Sequence, residues 1–160
     1  MKKTLILMGV LSVFSISLVA CGNDSKDAVD DSNKPKEEKV KKSSVSFPDS
    51  ELGKGQIILR TTSGSSENNN IPFEYKDADL LTPQIGFEAW EFDGSKLSYI
   101  YIDKVLNSKE QLADVQTSLN LSKNDYKIGK HDVEVVQFDN DKESGKIVTY
   151  KKAQYEIKSK

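Results

Sequence analysis

The single cysteine of this chain, Cys21, lies at the end of its only long apolar run. One cysteine cannot form an intrachain disulfide, and one cysteine with one histidine cannot form a structural zinc site. Any fold must therefore be stabilised by packing and hydrogen bonds alone. Lys2 and Lys3 precede the apolar run from Leu5 to Val19, which is the pattern of a secretory signal peptide.

The apolar run ends in the sequence Leu18-Val19-Ala20-Cys21. This sequence resembles the lipobox of bacterial lipoproteins, in which an aliphatic residue and small residues precede an obligatory cysteine. The resemblance implies cleavage between Ala20 and Cys21 and a diacylglyceryl anchor on the Cys21 thiol. It also implies a place on the extracytoplasmic face of the cell membrane, which we expect to be that of a Gram-positive bacterium.

Two other interpretations of this run are weaker. A transmembrane helix needs ~20 apolar residues, and residues 5–20 fall short of that length. An ordinary signal peptide needs a small-x-small cleavage pattern, which Leu18-Val19-Ala20 lacks. The sequence therefore predicts a signal peptide over 1–20.

Residues 21–46 comprise the predicted lipidated cysteine and a linker rich in Asp, Lys, Ser, Asn and Glu. Such a composition offers too little apolar surface to offset ordering entropy, so we expect a disordered spacer. An alternative use of its lysines is contact with an anionic membrane or wall polymer. Loss of Lys2 and Lys3 leaves 21 basic against 25 acidic residues, and no basic field is predicted to hold nucleic acid.

Residues 47–160 consist of short β-rich runs between Gly, Asn, Asp and Ser clusters, which is typical of an all-β sandwich or barrel. The predicted strands are 56–62, 71–75, 85–92, 97–102, 117–121, 132–138 and 146–157. Asp93-Gly94 between aromatic runs predicts a hairpin, and the spacing of Ser108 and Gln111 predicts a helical turn. In the last run, alternation places Ile147, Thr149, Ala153, Tyr155 and Ile157 on one face.

The segment Tyr126-x-x-Gly129-x-His131-x-Val133-x-Val135 resembles the penultimate strand of bacterial Ig-like surface modules. In that family, a glycine and a His or Tyr before alternating valines mark the entry to the strand. The resemblance implies a single Ig-like antiparallel β-sandwich of about seven strands. The chain lacks the paired cysteines of antibody domains.

Residues that could support catalysis have simpler structural explanations. His131 is the only histidine, and we expect it to bond a neighbouring backbone carbonyl at the entry to a strand. Glu88 and Glu91 are three residues apart, so on one strand they point to opposite sides. Residues 139–145 offer acidic oxygens for calcium, but their composition also suits a hairpin loop, which we favour. We therefore predict no enzyme, no metal and no cofactor.

Aromatic residues are the best candidates for a binding face. Trp90 and Phe92 share one side of their predicted strand, and Tyr99 and Tyr101 share one side of the next. Aromatic side chains give large contact area at low entropic cost, so an exposed set would suit a glycan or a partner protein. The alternative is that Trp90 fills the core of the sandwich.

The sequence thus predicts a monomeric, non-enzymatic binding module, held by a lipid outside the membrane, whose partner is an envelope or extracellular protein or glycan. An alternative within the same class is an immunity or exclusion lipoprotein of a mobile element, which intercepts a bacteriocin, a phage factor or a mating partner. An alternative of another class is an envelope hydrolase, which the missing catalytic motifs disfavour.

Overall fold

The computed structural model describes residues 42–160, and in this range it contains nine β-strands, one 3-10 turn and no α-helix. The strands are β1 (Gln56–Thr61), β2 (Gly64–Ser65), β3 (Phe73–Tyr75), β4 (Gln84–Trp90), β5 (Ser98–Ile102), β6 (Val105–Glu110), β7 (Val115–Asn120), β8 (Gly129–Phe138) and β9 (Ile147–Lys158). The predicted all-β class is confirmed, and each of the seven predicted strands overlaps an observed strand. The sequence does not predict β2 and β6.

The strands form a four-stranded sheet in the order β2-β1-β4-β7 and a five-stranded sheet in the order β3-β9-β8-β5-β6. Every pair of strands is antiparallel except β3 with β9, in which Phe73–Tyr75 runs parallel to Glu156–Lys158. The prediction of a purely antiparallel sandwich is therefore wrong at this edge. A hydrogen bond from the Glu156 N–H to the Pro72 carbonyl (2.9 Å) positions the entry of β3.

One hydrophobic core lies between the two sheets, because alternate residues of each strand point inward. Its buried members include Leu59, Ile85, Phe87, Ala89 and Leu119 from the four-stranded sheet and Ile100, Ile102, Val133, Val135, Tyr155 and Ile157 from the five-stranded sheet. The predicted inner face of β9 is confirmed for Ala153, Tyr155 and Ile157. Ile147 packs on the opposite side, because the β8–β9 register shifts beside it, between Gln137 and Phe138.

The Asp93-Gly94 turn connects the two sheets, so the predicted hairpin is wrong. β4 belongs to the four-stranded sheet and β5 to the five-stranded sheet. The local turn is nevertheless present, since the Lys96 N–H donates to the Asp93 carbonyl (3.0 Å) and the Ser95 N–H donates to the Asp93 carboxylate (3.0 Å). A turn dipeptide sets the bend, whereas the pairing of the flanking strands depends on the rest of the fold.

Residues 105–110 form strand β6, so the helical turn predicted from Ser108 and Gln111 is wrong. Asp103 and Lys104 make a tight turn between β5 and β6 with φ angles of 50° and 66°. Two-residue turns of this kind favour Asn and Gly, so an Asp-Lys pair does not indicate a hairpin from the sequence. The Asp103 carboxylate accepts a hydrogen bond from the Asp132 N–H (3.0 Å), which ties the turn to β8.

Residues 43–48, which we call the strap, lie across the outer face of the five-stranded sheet. Val45 and Phe47 pack there against a second buried cluster. The buried members of this cluster are Tyr99, Tyr101, Val136, Phe138 and Tyr150. Ser43 belongs to the segment that the sequence assigns to the linker, and its N–H donates to the carbonyl of Lys104 (2.8 Å) in the turn between β5 and β6.

The predicted signal peptide and lipobox, including Ala20 and Cys21, lie outside the residues that the structure describes. Over residues 42–160, no helix has the length and apolar character needed to cross a membrane.

Candidate functional site

The two tyrosines of the predicted binding face are buried. Tyr99 is 4% exposed and Tyr101 is 0% exposed, because the strap and neighbouring side chains cover them. The Phe47 ring lies 5.1 Å from the Tyr101 ring in an edge-to-face arrangement, and the Tyr99 hydroxyl donates to the Asp141 carbonyl (2.7 Å). The hypothesis of an exposed tyrosine platform is therefore wrong for this structure.

Trp90 and Phe92 do not share one side of a strand, as the sequence predicts, and Trp90 does not fill the core. Phe92 is buried in the core, whereas Trp90, the last residue of β4, is only partly buried on the outer side of the four-stranded sheet. The cause is the backbone of Glu91, which has a φ of 60° and ends the strand alternation between the two aromatic residues. The predicted four-residue face is therefore not one surface, and Trp90 is its only member on the outer side of the four-stranded sheet.

An ion pair occupies the middle of this outer side. Arg60 of β1 makes two hydrogen bonds to Glu88 of β4, one from Nε to Oε1 and one from Nη2 to Oε2 (3.2 Å). The hydrogen bond from Arg60 lowers the pKa of the Glu88 carboxyl below its ordinary value. Glu88 is buried, whereas the Arg60 side chain remains about half exposed on the surface of the sheet.

Gly86 makes the ion pair possible. It lies opposite Arg60 in the β1–β4 register, and a Cβ atom there would approach the Arg60 Cβ to 3.0 Å. Because Gly86 has no side chain, the aliphatic part of Arg60 can lie over it and reach Glu88, two residues along β4. In the sequence, Glu88 stands out only through its spacing from Glu91, and nothing links it to Arg60. The alternation of side chains along β1 is the one sequence pattern that places Arg60 on the outer side.

The outward side chains of β1, β4 and β7 form a surface that we call the polar face. It comprises Gln56, Ile58, Arg60, Gln84, Glu88, Trp90, Gln116, Ser118 and Asn120. Amide side chains dominate its rim, and Gln84 Nε2 donates to Asn120 Oδ1 across the β4–β7 pair. The face therefore combines one aromatic ring, a neutralised ion pair and several exposed amides, which can donate and accept hydrogen bonds.

A groove of about 670 Å³ adjoins the polar face between β1 and β9. Its lining includes Gln56 and Ile58, which also belong to the polar face, together with Asn68–Asn70, Ile71 and Gln154. Asn68 and Asn69 adopt positive φ angles of 56° and 61°, which asparagine tolerates better than most residues. The groove extends the amide-rich surface around the edge of the sheet.

His131 has a structural environment. Its Nε2 lies 2.8 Å from the Lys127 carbonyl and its Nδ1 lies 2.7 Å from Asp103 Oδ2. The ring is 6% exposed and stacks on Tyr155 with a centroid distance of 5.0 Å. The predicted bond to a neighbouring backbone carbonyl is confirmed, and that bond engages the nitrogen that a nucleophile would need.

The loop at residues 139–145 connects β8 and β9, which confirms the hairpin interpretation. Its acidic and amide oxygens accept backbone hydrogen bonds: Asp139 from the Lys146 N–H (3.0 Å) and Asp141 from the Leu97 N–H (3.0 Å). Within the described part of the chain, no three His, Cys, Asp or Glu side chains come together as a potential metal site.

Comparison with known proteins gives no match to a protein-family model, a curated protein or a solved structure. The candidate site therefore rests on its own geometry.

Proposed function

We propose that this protein is a non-enzymatic binding module of the cell envelope, with an Ig-like fold, anchored by a lipid on Cys21 at the extracytoplasmic face of the membrane. The lipobox-like Leu18-Val19-Ala20-Cys21 supports the anchor, and the charged composition of residues 22–41 supports a spacer. Anchoring would confine the domain near the membrane and raise its effective concentration against other components there.

The polar face is the observation that carries the binding role. Trp90 offers a partly exposed ring on the same side of β4 as Glu88, and the Glu88 carboxylate is held by two hydrogen bonds from Arg60. An aromatic side chain has only two rotatable bonds and so loses little entropy on binding, and the surrounding amides suit a polar, largely uncharged partner. Such a partner is a glycan or the polar surface of an envelope or extracellular protein.

Site-specific photocrosslinking of the full-length protein in the producing cell tests this binding role. A photoreactive residue replaces either Gln116, exposed on the polar face, or Lys130, exposed on the five-stranded sheet. We expect an adduct from position 116 that disappears in Trp90→Ala and persists in Ile128→Ala, a control that truncates an exposed side chain elsewhere. Equal adducts from both positions, or an adduct insensitive to Trp90→Ala, would contradict the proposal.

The anchor has a separate test. Inhibition of the lipoprotein signal peptidase should leave the chain at its unprocessed mass, whereas Cys21→Ser should release or mislocalise the protein. An unchanged processed mass under the inhibitor would refute the lipobox interpretation and leave the binding role to be judged on the crosslinking alone.

A further inference from the structure

Three large apolar side chains are exposed on two neighbouring loops at one end of the sandwich. Leu81 is 95% exposed, Leu80 is 49% exposed and Ile128 is 63% exposed. The two leucines belong to residues 76–83, which connect β3 to β4 and which we call the leucine loop, and Ile128 precedes β8. Single exposed apolar residues are common, but a group of them on adjoining loops is a feature of protein or membrane interaction sites.

Hydrogen bonds at both ends of the leucine loop hold it beside the loop that precedes β8. At its start, the Lys76 ammonium donates to the Tyr126 carbonyl (2.7 Å) and the Asp77 N–H donates to the Tyr126 hydroxyl (2.9 Å). At its end, the Leu121 N–H donates to the Pro83 carbonyl (2.8 Å). The middle of the loop is therefore displayed at a fixed place on the domain, and its two leucines belong to neither hydrophobic cluster.

Lysines surround the exposed leucines. The loops at this end carry seven lysines and four acidic residues, over residues 75–83, 103–104, 121–130 and 158–160. Within the described residues, Lys123, Lys127 and Lys130 form no ion pair. Their ammonium groups are therefore available to an external anion.

Most of the carboxylates at this end are engaged within the domain. Asp77 pairs with Lys160 (3.1 Å). Asp103 hydrogen-bonds the single histidine, and Asp125 is buried. Asp79 is exposed. The accessible charge around the leucines is consequently more positive than the residue counts alone indicate.

The opposite end of the sandwich has the reverse charge. Its loops carry nine acidic residues and four lysines, over residues 49–55, 91–97, 110–114 and 139–146. An anionic surface would attract the end that carries the leucines and repel the other end. The charge distribution therefore favours one orientation of the domain on such a surface.

The polypeptide enters the described domain at the end that carries the leucine loop. The Ser43 N–H donates to the Lys104 carbonyl (2.8 Å) in the turn between β5 and β6. His131 ties this turn to the loop before β8, because its ring nitrogens contact Asp103 (2.7 Å) and the Lys127 carbonyl (2.8 Å). An anchor in the sequence that precedes Ser43 is therefore attached to the domain at this end.

We infer that the leucine loop docks the domain on an anionic lipid surface, with Leu80 and Leu81 inserted at the interface and the surrounding lysines bound to headgroups. Apolar burial and attraction of lysines to anionic lipids are the two contributions that hold peripheral proteins at membranes. Unpaired ammonium groups around a short apolar loop fit headgroups above acyl chains better than an apolar pocket of a protein. Docking by one end leaves the polar face open. The inference goes beyond the proposed function and shares with it only the membrane.

Photocrosslinking to lipid tests the docking. Full-length protein carries a photoreactive residue in place of Leu81, or in place of Ser144 as a control that is exposed at the opposite end. In vesicles of phosphatidylcholine with phosphatidylglycerol, we expect several-fold more lipid adduct from position 81 than from position 144. In vesicles of phosphatidylcholine alone, the position-81 adduct should fall several-fold, because the attraction to lysines is lost. Equal adducts from both positions, or in both kinds of vesicle, would overturn the inference.

Charge reversal gives the matched control. Lys123→Glu with Lys127→Glu should lower the position-81 lipid adduct several-fold in the anionic vesicles. Lys142→Glu with Lys146→Glu makes the same change of charge at the opposite end and should not lower it. All four side chains are exposed, so neither pair of substitutions removes a core contact. A position-81 adduct that is insensitive to the first pair would refute lysine-assisted docking.

The same position-81 protein in the producing cell separates a lipid surface from a protein partner and docking from anchoring. A lipid adduct supports docking, whereas a protein adduct in its place would overturn it. The mass of the recovered chain reports separately on lipid attachment at Cys21. A lipid adduct on a chain without that attachment supports docking and refutes the anchor, whereas a lipid-modified chain without an adduct refutes docking and leaves the anchor intact.

Discussion

Replacement of Phe47 by Ala should show that the strap is held independently of the core. A fully buried Phe→Ala substitution costs about 3–5 kcal/mol. Phe47 is only partly buried, so Phe47→Ala should remove about half of this free energy of unfolding. Loss of the edge-to-face pair with Tyr101 adds about 0.5–1.5 kcal/mol. The resulting ceiling is about 4 kcal/mol, and because the strap can detach without unfolding the sheets, the measured loss should be about 1–2 kcal/mol.

Urea denaturation measures the free energy of unfolding, with Phe87→Ala as the core reference and Phe73→Ala as a matched edge control. Phe73 is also partly buried, and it packs against Tyr75 with a centroid distance of 5.4 Å. The second readout is NMR titration of labelled tyrosine. Burial raises the pKa of Tyr101 from 10.0 to about 12, so Phe47→Ala should move this pKa back toward 10.0, whereas Phe73→Ala should not.

The same shift predicts a pH dependence of the strap. A raised pKa in the folded state means that the stability from the neutral Tyr101 phenol is fully present below pH 10 and is lost as the pH rises toward 12. If Phe47→Ala destabilises the protein as much as Phe87→Ala, or leaves the pKa of Tyr101 unchanged, the idea of an independently held strap is wrong.

Three further substitutions test the site and the fold. The Arg60 hydrogen bond lowers the pKa of Glu88 below 4.5, so the stability that the Arg60–Glu88 pair contributes above that pH should be lost as the pH falls. Glu88→Gln should therefore make the melting temperature depend less on pH in the acid range. Asp103→Ala should cost about 2 kcal/mol in urea denaturation, because it removes two hydrogen bonds, including that of His131. Gly53→Ala should lower the melting temperature, because φ is 68° and its Cβ would lie 2.5 Å from a backbone carbonyl oxygen of β9.

Local patterns predicted much of the fold. The alternation of β9, the turn composition of residues 139–145 and the single His131 before alternating valines each indicated the correct local structure. These features depend on residues close in sequence, where side-chain periodicity and turn chemistry act directly. The tight turn at Asp103 escaped prediction, because its positive φ angle is stabilised by contacts with β8 and not by its own sequence.

The binding face could not be predicted, because its exposure depends on distant segments. Alternation places Tyr99 and Tyr101 on the side of β5 opposite the core, but their cover is the strap, more than fifty residues earlier in the chain. The outward position of Trp90 depends on the end of β4, and the Arg60–Glu88 pair depends on the β1–β4 register. None of these is encoded within one strand.

The sequence by itself determined the β character of the domain, the positions of most strands and the lipobox-like segment, because each follows from the order of neighbouring residues. The tertiary structure decided which sheet each strand joins, which outer face is covered and which aromatic residue remains accessible. Those properties arise from contacts between residues that are distant in the chain. Many strand pairings satisfy the same alternation of side chains, and one pairing is favoured only when all the contacts of the folded domain are considered together.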